Sequence, residues 1–302
     1  MSILLATTSS FGTACPEVVQ IVKDAGYALE TNPYGRKLTE GELLELLQKH
    51  QPVGLLAGTE PVTANVLKQA SAYLKAVARV GVGWDNVAHE TAAELHIPVS
   101  RTEGILDQPV AELALGMMLN ALRHVSRHDR NIRAGVWKKE MGNLLAAQTV
   151  GVVGCGAIGR KVAELCRAFG ARVICSDVCT VNNSDVEQLK LNELMAEADI
   201  ITVHASGSEC LIGADQLALC KPKAIFVNTA RGGMIDEAAL AQALADGKAG
   251  YACMDVFENE PYSGPLAGLD NTILTAHIGS YSAESRIAME MKAVENILKD
   301  LA

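Results

Sequence analysis

Short apolar runs alternate along the chain with segments in which apolar residues recur at helical spacing. Apolar runs of this length, bounded by turn residues, are typical of strands buried on both faces of a sheet. In the first third of the chain, the predicted strands are Ile3–Ala6, Val53–Ala57, Ala76–Val80 and Pro98–Ser100. The predicted helices between them are Glu17–Ala25, Glu40–Lys49 and Ala64–Ala72. Strands and helices that alternate in this way indicate a parallel sheet covered by helices.

The same alternation restarts after Thr149. The strands predicted in this second series are Val150–Val153, Arg172–Ser176, Ile200–His204, Ala224–Asn228, Tyr251–Met254 and Ile273–Thr275. Two further helices are predicted, a long apolar one from Val110 to about Ala134 and an amphipathic one at Ala283–Leu301. No linker rich in Pro, Gly or Ser separates the two series. We therefore expect an α/β protein with two doubly wound parallel sheets that are joined through helices.

Composition agrees with two folded domains and narrows the class of protein. The chain has 302 residues, of which 49% are hydrophobic, and a formal net charge of -9. Such an acidic surface disfavours binding to nucleic acid or to an anionic membrane surface. The 8 cysteines include no Cys-x-x-Cys pair, and the N-terminus lacks the basic start of a secretory signal. We expect reduced thiols and a cytoplasmic protein.

The strongest local motif is a strand that leads into a Gly-x-Gly-x-x-Gly turn and then a helix. Its glycines are Gly154, Gly156 and Gly159. These positions suit a tight turn, close approach of a pyrophosphate and close packing of helix on strand, while the helix offers the N–H groups of Ala157 and Ile158. The next strand ends at Asp177, at the spacing of an acid that binds the adenosine ribose. A glycine-rich turn that binds no nucleotide is the alternative, but the strand, glycine turn, helix and acid in this order favour a dinucleotide. The carboxylate of Asp177 indicates NAD, because it would repel the extra phosphate of NADP.

Three more motifs follow strand ends of the second series. They contain Arg231, Glu260 and His277. A site that oxidises a 2-hydroxy acid must hold a carboxylate and accept a proton while the nicotinamide takes the hydride. A guanidinium suits the first task, an imidazole the second, and a carboxylate can fix the imidazole tautomer. Each residue alone has an ordinary structural explanation, such as a surface ion pair or a structural histidine.

Taken together, these motifs resemble the D-isomer specific 2-hydroxyacid dehydrogenase family, and within it the phosphoglycerate dehydrogenase branch. The resemblance is clearest from Val53 to His277 and implies that Arg231, Glu260 and His277 are catalytic. It also implies that backbone N–H groups near Val82 and Gly83 bind the substrate carboxylate, together with Thr59, Arg231 and His277. The cofactor contacts that it implies, besides the three glycines, are Ala157, Ile158, Asp177, His204, Ala205, Thr229, Ala230, Asp255 and Gly279. For His204, simple hydrogen bonding at a strand end is an equally good interpretation.

The resemblance further implies the layout of the chain. A Rossmann NAD-binding domain, residues 101–279, would be inserted into a flavodoxin-like substrate domain made of residues 1–100 and 280–302. The active site would lie in a cleft that closes by hinge motion and excludes water. The long helix after Val110 resembles the segment through which relatives dimerise, so we expect a homodimer formed through the cofactor domain.

The match is weakest where phosphoglycerate dehydrogenases bind the substrate phosphate. That loop carries an Arg in the family, whereas this chain has Ala57 with Glu60 nearby, and Asp107 stands before the long helix. Lys138 and Lys139 of a neighbouring subunit, or Arg101, could compensate. A reductase of glyoxylate or hydroxypyruvate is therefore an alternative, and an NADH-sensing binding protein is an alternative of another class. His124 and His128 have helical metal-ligand spacing but no third ligand, so no metal site is predicted.

Overall fold

The computed structural model describes residues 1–181, 185–207 and 209–302. The chain forms two compact units, residues 1–106 with 280–302 and residues 107–279. The second unit is thus inserted in sequence between two parts of the first. The division predicted after residue 100 falls within a strand, Val99–Arg101, whereas the first unit continues to Leu106.

The helices and strands are as follows. The first part of unit 1 contains β1 (Ile3–Ala6), α1 (Glu17–Asp24), β2 (Ala28–Thr31), α2 (Glu40–His50), β3 (Gly54–Ala57), α3 (Ala64–Ala70), β4 (Ala76–Arg79), α4 (His89–Glu94) and β5 (Val99–Arg101). Unit 2 contains α5 (Asp107–Arg123), α6 (Val125–Arg133), β6 (Thr149–Val153), α7 (Ala157–Ala168), β7 (Arg172–Ser176), β8 (Glu187–Gln188), α8 (Leu191–Glu197), β9 (Ile200–Val203), α9 (Ala214–Leu219), β10 (Ala224–Asn228), α10 (Glu237–Ala245), β11 (Ala249–Met254) and β12 (Thr272–Leu274). Helix α11 (Ala283–Leu301) returns to unit 1.

Unit 1 is a five-stranded parallel sheet in the order β2-β1-β3-β4-β5. The central strands read as continuous apolar runs because both faces are covered, and Leu4, Leu5, Leu55 and Leu56 are fully buried. This is the strand order of the flavodoxin-like fold. The predicted fold class is confirmed for this unit.

Unit 2 is a seven-stranded parallel sheet in the order β12-β11-β10-β9-β6-β7-β8. The chain starts at the centre with β6, winds outward through β7 and β8, then returns to β9 and winds outward on the other side. That reversal between β6 and β9 is the switch point at which doubly wound sheets bind ligands. The predicted Rossmann arrangement is confirmed.

The predicted continuous helix from Val110 to about Ala134 is wrong. Helix α5 ends at Arg123, and His124 adopts a left-handed conformation with φ of 53° before α6 begins. Two hydrogen bonds fix the break: the Ser126 N–H donates to Asn120 Oδ1 at 2.9 Å, and the Asn143 N–H donates to the Leu122 carbonyl at 2.9 Å. A side-chain cap from Asn120 and a backbone donor from Asn143 therefore replace intrahelical bonds at this point.

Each parallel sheet gathers the carboxyl ends of its strands at one edge. In unit 2, the loops after β6, β7, β9, β10, β11 and β12, together with the first turn of α7, carry all of the predicted cofactor and catalytic residues. In unit 1, the loops after β3 and β4 carry Thr59, Val82 and Gly83. No helix in the described part of the chain is long and apolar enough to cross a membrane.

Candidate active site

The glycine turn after β6 depends on glycine for close backbone contacts. Gly154 has φ of 88°, and a Cβ there would overlap the backbone of Ala205 and approach the His204 carbonyl carbon at 2.7 Å. A Cβ at Gly159 would overlap the Gly154 carbonyl oxygen, so helix α7 packs directly on the turn. A Cβ at Gly156 would meet nothing within 4 Å. The turn is therefore packed from behind and open at Gly156, as a pyrophosphate cradle requires.

Asp177 lies beside this turn, at the end of β7. One of its carboxylate oxygens accepts a hydrogen bond from the Cys155 N–H at 2.6 Å, and the other accepts one from the Cys179 N–H at 2.9 Å. Asp177 thereby fixes the glycine turn from the neighbouring strand. A cavity of about 560 Å³ adjoins it, lined by Ser176, Asp177, Gln188, Leu189, Lys190, Leu191 and Glu193.

Two polar atoms at the central strand ends are buried without a partner. In the described part of unit 2, His204 Nδ1 and Thr229 Oγ1 have no hydrogen-bond partner. The other ring nitrogen of His204 shares a hydrogen bond of 2.7 Å with Thr202 Oγ1. Burial lowers the pKa of His204 from 6.5 to about 3, so the imidazole is neutral at physiological pH. Orphaned polar atoms at the carboxyl ends of β9 and β10 fit a site that a polar ligand completes.

The Asn228 side chain shapes the loop that carries Arg231. Its Nδ2 donates to the Arg231 carbonyl at 2.9 Å, and its Oδ1 accepts from the Ala230 N–H at 3.0 Å. Arg231 Nη1 in turn donates to the Ala230 carbonyl at 2.7 Å. Gly232 allows this loop to touch the next one, because a Cβ there would overlap the carbonyl group of Phe257. The loops of Arg231 and Glu260 are therefore in direct contact.

His277 and Glu260 form the predicted pair. His277 Nδ1 lies 3.1 Å from Glu260 Oε2, and the second oxygen, Oε1, accepts from the Phe257 N–H at 3.3 Å. The two side chains are 42% and 30% exposed, so both are accessible to a small ligand. With Nδ1 engaged by the carboxylate, Nε2 is the ring nitrogen that can exchange a proton with a substrate.

Asp255 organises the loop that carries His277. The carboxylate accepts hydrogen bonds from Thr275 Oγ1 at 2.6 Å and from the N–H groups of Ile278 and Gly279, both at 2.8 Å. The His277 N–H donates to the Asp255 carbonyl at 2.8 Å. These bonds hold the His277 backbone in a left-handed conformation, with φ of 55°, that residues other than glycine rarely adopt. Asp255 therefore orients the imidazole of His277, in addition to the cofactor contact predicted for it.

In unit 1, the loop after β3 contains an unexpected buried acid. Glu60 is 1% exposed; its carboxylate accepts hydrogen bonds from Thr7 Oγ1 and, at 2.9 Å, from the Gly58 N–H. Asn86 Nδ2 donates to the Glu60 carbonyl at 2.7 Å and joins this loop to the one after β4. Thr59 is exposed at the tip, and Val82 and Gly83 are partly exposed.

The sequence predicted a set of catalytic residues but did not single out some of the residues that hold them in place. The roles of Asn228, Gly232 and Asp255 in shaping loops are visible only in the hydrogen bonds and contacts above. Each of the three lies inside a motif noted in the sequence. The motif therefore indicated their positions, but not the residues that they contact. The two carboxylate oxygens of Asp177 also have backbone donors that the spacing did not reveal.

The residues of unit 2 fit NAD. The turn at Gly156 is open, Asp177 stands beside it, and unpartnered polar atoms of His204 and Thr229 lie at adjacent strand ends. A doubly wound sheet with this turn, and with an imidazole–carboxylate pair on the same edge, defines an NAD-dependent dehydrogenase.

Comparison with known proteins names the family. Residues 115–279 match the NAD binding domain of the D-isomer specific 2-hydroxyacid dehydrogenases. The chain is 36% identical over 274 residues to the hydroxypyruvate reductase of Thermotoga maritima, covering 87% of this chain and 89% of that protein. It is 39% identical to the D-3-phosphoglycerate dehydrogenase of Methanocaldococcus jannaschii over 87% of this chain but 52% of that protein. The solved TT0316 protein of Thermus thermophilus superposes with a TM-score of 0.91 at 34% identity, over 99% of this chain and 96% of that one.

The protein belongs to the D-2-hydroxyacid dehydrogenase family and is an NAD-dependent oxidoreductase of that family. The predicted family, reaction class and cofactor are confirmed. The chain spans only about half of the phosphoglycerate dehydrogenase that it matches, whereas it spans most of the hydroxypyruvate reductase.

Proposed function

We propose that the protein transfers a hydride between NAD and a small D-2-hydroxy acid or its 2-keto acid, with His277 as the proton donor and acceptor. The 3.1 Å contact between His277 Nδ1 and Glu260 Oε2 carries this proposal. The carboxylate holds the proton on Nδ1 and stabilises the imidazolium, which leaves Nε2 to take the hydroxyl proton during oxidation and to return it during reduction.

Arg231 and the unit 1 loop have the task of holding the substrate. We propose that the guanidinium of Arg231 binds the carboxylate and the reacting oxygen, and polarises the keto group for reduction. The backbone N–H groups of Val82 and Gly83, with the hydroxyl of Thr59, would bind the carboxylate from unit 1. Backbone donors suit this task because they need no reorganisation when charge develops.

Binding of NAD is assigned to the strand ends of unit 2. The residues proposed to hold it are Gly154, Gly156, Ala157, Ile158, Gly159, Asp177, His204, Ala205, Thr229, Ala230, Asp255 and Gly279. When bound, NAD accepts or gives the hydride. Asp177 would bind the adenosine ribose hydroxyls through the lone pairs that its two backbone contacts leave, and would disfavour the phosphate of NADP.

We propose further that the preferred substrate is an unphosphorylated 2-keto acid, such as hydroxypyruvate or glyoxylate, rather than 3-phosphoglycerate. Where the resemblance predicts a phosphate-binding Arg, the loop has Ala57, and the carboxylate of Glu60 is buried behind its tip with Thr7 and Gly58 as donors. A phosphate bound there would lose a charge-assisted contact and meet a buried negative charge. The similarity to a hydroxypyruvate reductase over most of its length supports the same choice.

A panel of acids tests this proposal. The enzyme is assayed with hydroxypyruvate, glyoxylate and phosphohydroxypyruvate, each with NADH and with NADPH. Oxidation of the cofactor is followed by its absorbance. We expect kcat/KM with NADH to be at least about tenfold higher for the unphosphorylated acids, since a charge-assisted bond contributes on the order of 2 kcal/mol. Equal or better use of the phosphorylated acid contradicts the substrate assignment. Binding of NADH without turnover of any acid would instead indicate a sensor protein.

The variant His277→Gln tests the role of the imidazole in the same assay. We expect kcat to fall by about two to four powers of ten, the usual contribution of a general acid–base. The dissociation constant of NADH, measured by fluorescence, should stay within about twofold. A similar loss of cofactor binding would show that residue 277 serves the cofactor and not the proton.

We also propose a homodimer formed through unit 2. The last turn of α6 and the segment after it expose an apolar surface, here called the arm patch, which consists of Ile132, Val136, Trp137, Met141 and Leu144. Exposed apolar groups concentrated on one segment are typical of a surface that another chain covers. Cytoplasmic location stays a prediction of the sequence.

A further inference from the structure

Two arginines flank the loop that follows β4 in unit 1. This loop, residues 80–84, is here called the carboxylate loop because it contains Val82 and Gly83. Arg79 is the last residue of β4 and Arg101 the last of β5, and the two are register partners in the parallel sheet. Their side chains therefore leave the sheet on the same face.

Arg101 contacts the outer part of the loop at Trp84 and Val82, and it also pairs with Glu103 outside the loop. Its guanidinium carbon lies 4.0 Å from the centroid of the Trp84 ring, and Nη1 donates to the Val82 carbonyl at 3.4 Å. Nε donates to Glu103 Oε1 at 2.7 Å. The backbone is anchored as well, because Asn296 Nδ2 of α11 donates to the Arg101 carbonyl at 3.0 Å. The cation is thus stacked, hydrogen-bonded and fixed at its base.

Arg79 contacts the inner part of the loop. It is a buried cation, and its Nη1 donates to the Val80 carbonyl. The guanidinium packs against Gly81, where φ is 150° and an added Cβ would overlap it. The Thr102 N–H donates to the Gly81 carbonyl at 3.1 Å, which ties the same turn to the end of β5.

The carbonyl groups of Val80 and Val82 are therefore each directed at a guanidinium. In a trans peptide the carbonyl and the following N–H point in opposite directions. Holding the Val82 carbonyl toward Arg101 consequently turns the Gly83 N–H the other way. We propose that Arg101 is a positioning residue, which presents the Gly83 N–H to the substrate carboxylate, with Arg79 holding the start of the loop. This inference rests on the proposed function of the carboxylate loop.

The contacts indicate that Arg101 acts through geometry more than through charge. Glu103 pairs with the guanidinium and is itself 66% exposed, so the positive charge is offset locally and screened by water. Stacking on Trp84 and donation to Val82 need a flat guanidinium, and a lysine ammonium cannot provide both at once. The lysine variant therefore separates the two explanations.

Kinetics of Arg101→Met and Arg101→Lys test the proposal, with the keto acid that the wild-type enzyme uses best. We expect KM to rise about tenfold in both variants, which corresponds to one lost hydrogen bond to a charged group. We expect kcat and the dissociation constant of NADH to stay within about twofold. Binding of oxamate, a carboxylate that cannot be reduced, to the enzyme–NADH complex should weaken by a similar factor.

Arg36→Met is the matched control. Arg36 also belongs to unit 1, lies 5.2 Å from the centroid of the Tyr34 ring and pairs with Glu42 at 2.7 Å, but it does not contact the carboxylate loop. Its KM should equal that of the wild type.

An unchanged KM in Arg101→Met overturns the inference, and so does recovery of the wild-type KM in Arg101→Lys, which would show that charge alone matters. Oxamate binding by the lysine variant keeps the test decisive if the methionine variant does not fold. A wild-type protein with no turnover of any acid fails the proposed function instead, and the inference with it.

Discussion

The partly buried imidazole of His204, at the end of β9, makes the stability of unit 2 depend on pH. Burial lowers the pKa of His204 from 6.5 to about 3. In the unfolded chain the imidazole takes up a proton as the pH falls below about 6.5, whereas in the folded chain it does so only near the lower value. Acid therefore stabilises the unfolded state selectively between these two values, and the free energy of unfolding decreases as the pH falls.

The variant His204→Asn should remove this dependence. As the pH is lowered from about 6 to about 4.5, the free energy of unfolding of both proteins decreases. We expect the decrease per pH unit to be smaller in the variant than in the wild type by about 1 kcal/mol. The full linkage of 1.4 kcal/mol per unit is an upper limit, because the residue as a whole is partly exposed although Nδ1 is buried. Urea unfolding at several pH values measures the difference. His128→Gln, which removes another imidazole of unit 2, is the control, and equal slopes in all three proteins would refute the role of burial.

The residues proposed to carry out the chemistry could be singled out in the sequence, while those that hold them in place could not. His277, Glu260 and Arg231 stand out because few side chains can hold a carboxylate or exchange a proton near neutral pH. Arg101 was noted only as a spare cation, and its contact with Trp84 and Val82 depends on how β5 lies beside β4. Such long-range contacts leave no local pattern in the chain.

At the scale of the loop, the absence of a side chain at Gly232 allows the loop of Arg231 to pack against the loop of Glu260. A Cβ at this position would overlap the Phe257 carbonyl and approach the Glu258 nitrogen at 2.5 Å, and backbone atoms cannot move aside as a side-chain tip can. Gly232→Ala must therefore displace one loop from the other. A displacement of about 1 Å at a catalytic group costs on the order of a hundredfold in rate.

We expect kcat/KM of Gly232→Ala to fall by about two powers of ten or more, measured with the preferred keto acid. Gly233→Ala is the matched control: its φ is 80°, but a Cβ there meets nothing within 4 Å. It should lose only about 1 kcal/mol of stability from backbone strain and retain most of its activity. Activity equal in the two variants would show that the contact with Phe257 does not position Arg231.

Elements with a strong periodic signal were predicted closely, and the errors have local causes. Strands β1, β7 and β10 have the predicted bounds, because each has a buried apolar centre. Strand β2 was missed since it lies at the edge of its sheet and is only partly buried, so its sequence is not apolar. The break at His124 was missed because the apolar pattern of α5 does not reveal the side-chain cap from Asn120 or the backbone bond from Asn143.

At the scale of the whole chain, each unit has a core of its own. Strands β1, β3 and β4 of unit 1 and β6, β9 and β10 of unit 2 lie at the centres of their sheets and are fully covered. The return of α11 to unit 1 means that the chain passes through unit 2 before unit 1 is complete. The two-domain organisation follows from the repeated alternation of strands and helices, whereas oligomeric state is a property of the surface, where sequence patterns are weakest.

The arm patch gives the proposed homodimer a direct test. Trp137 is 84% exposed and Met141 is 94% exposed, which is unusual for two large apolar side chains so close in sequence. In a twofold dimer each would be buried twice, so the double variant Trp137→Ser with Met141→Ser removes four apolar groups from the interface. At about 1.5 kcal/mol or more for each, the dimer should lose on the order of 6 kcal/mol, which is about four powers of ten in its dissociation constant.

Sedimentation equilibrium or light scattering measures this loss. We expect the wild-type protein to have twice the mass of one chain and the double variant to have the mass of one chain at micromolar concentration. Leu219→Ser changes an apolar side chain that is also exposed, 45%, but lies at the end of α9 outside the arm patch, so this variant should remain dimeric. A monomeric wild type would show that the chains do not associate. A double variant that stays dimeric would show that they associate through another surface, since the expected loss comes only from the burial of these two side chains.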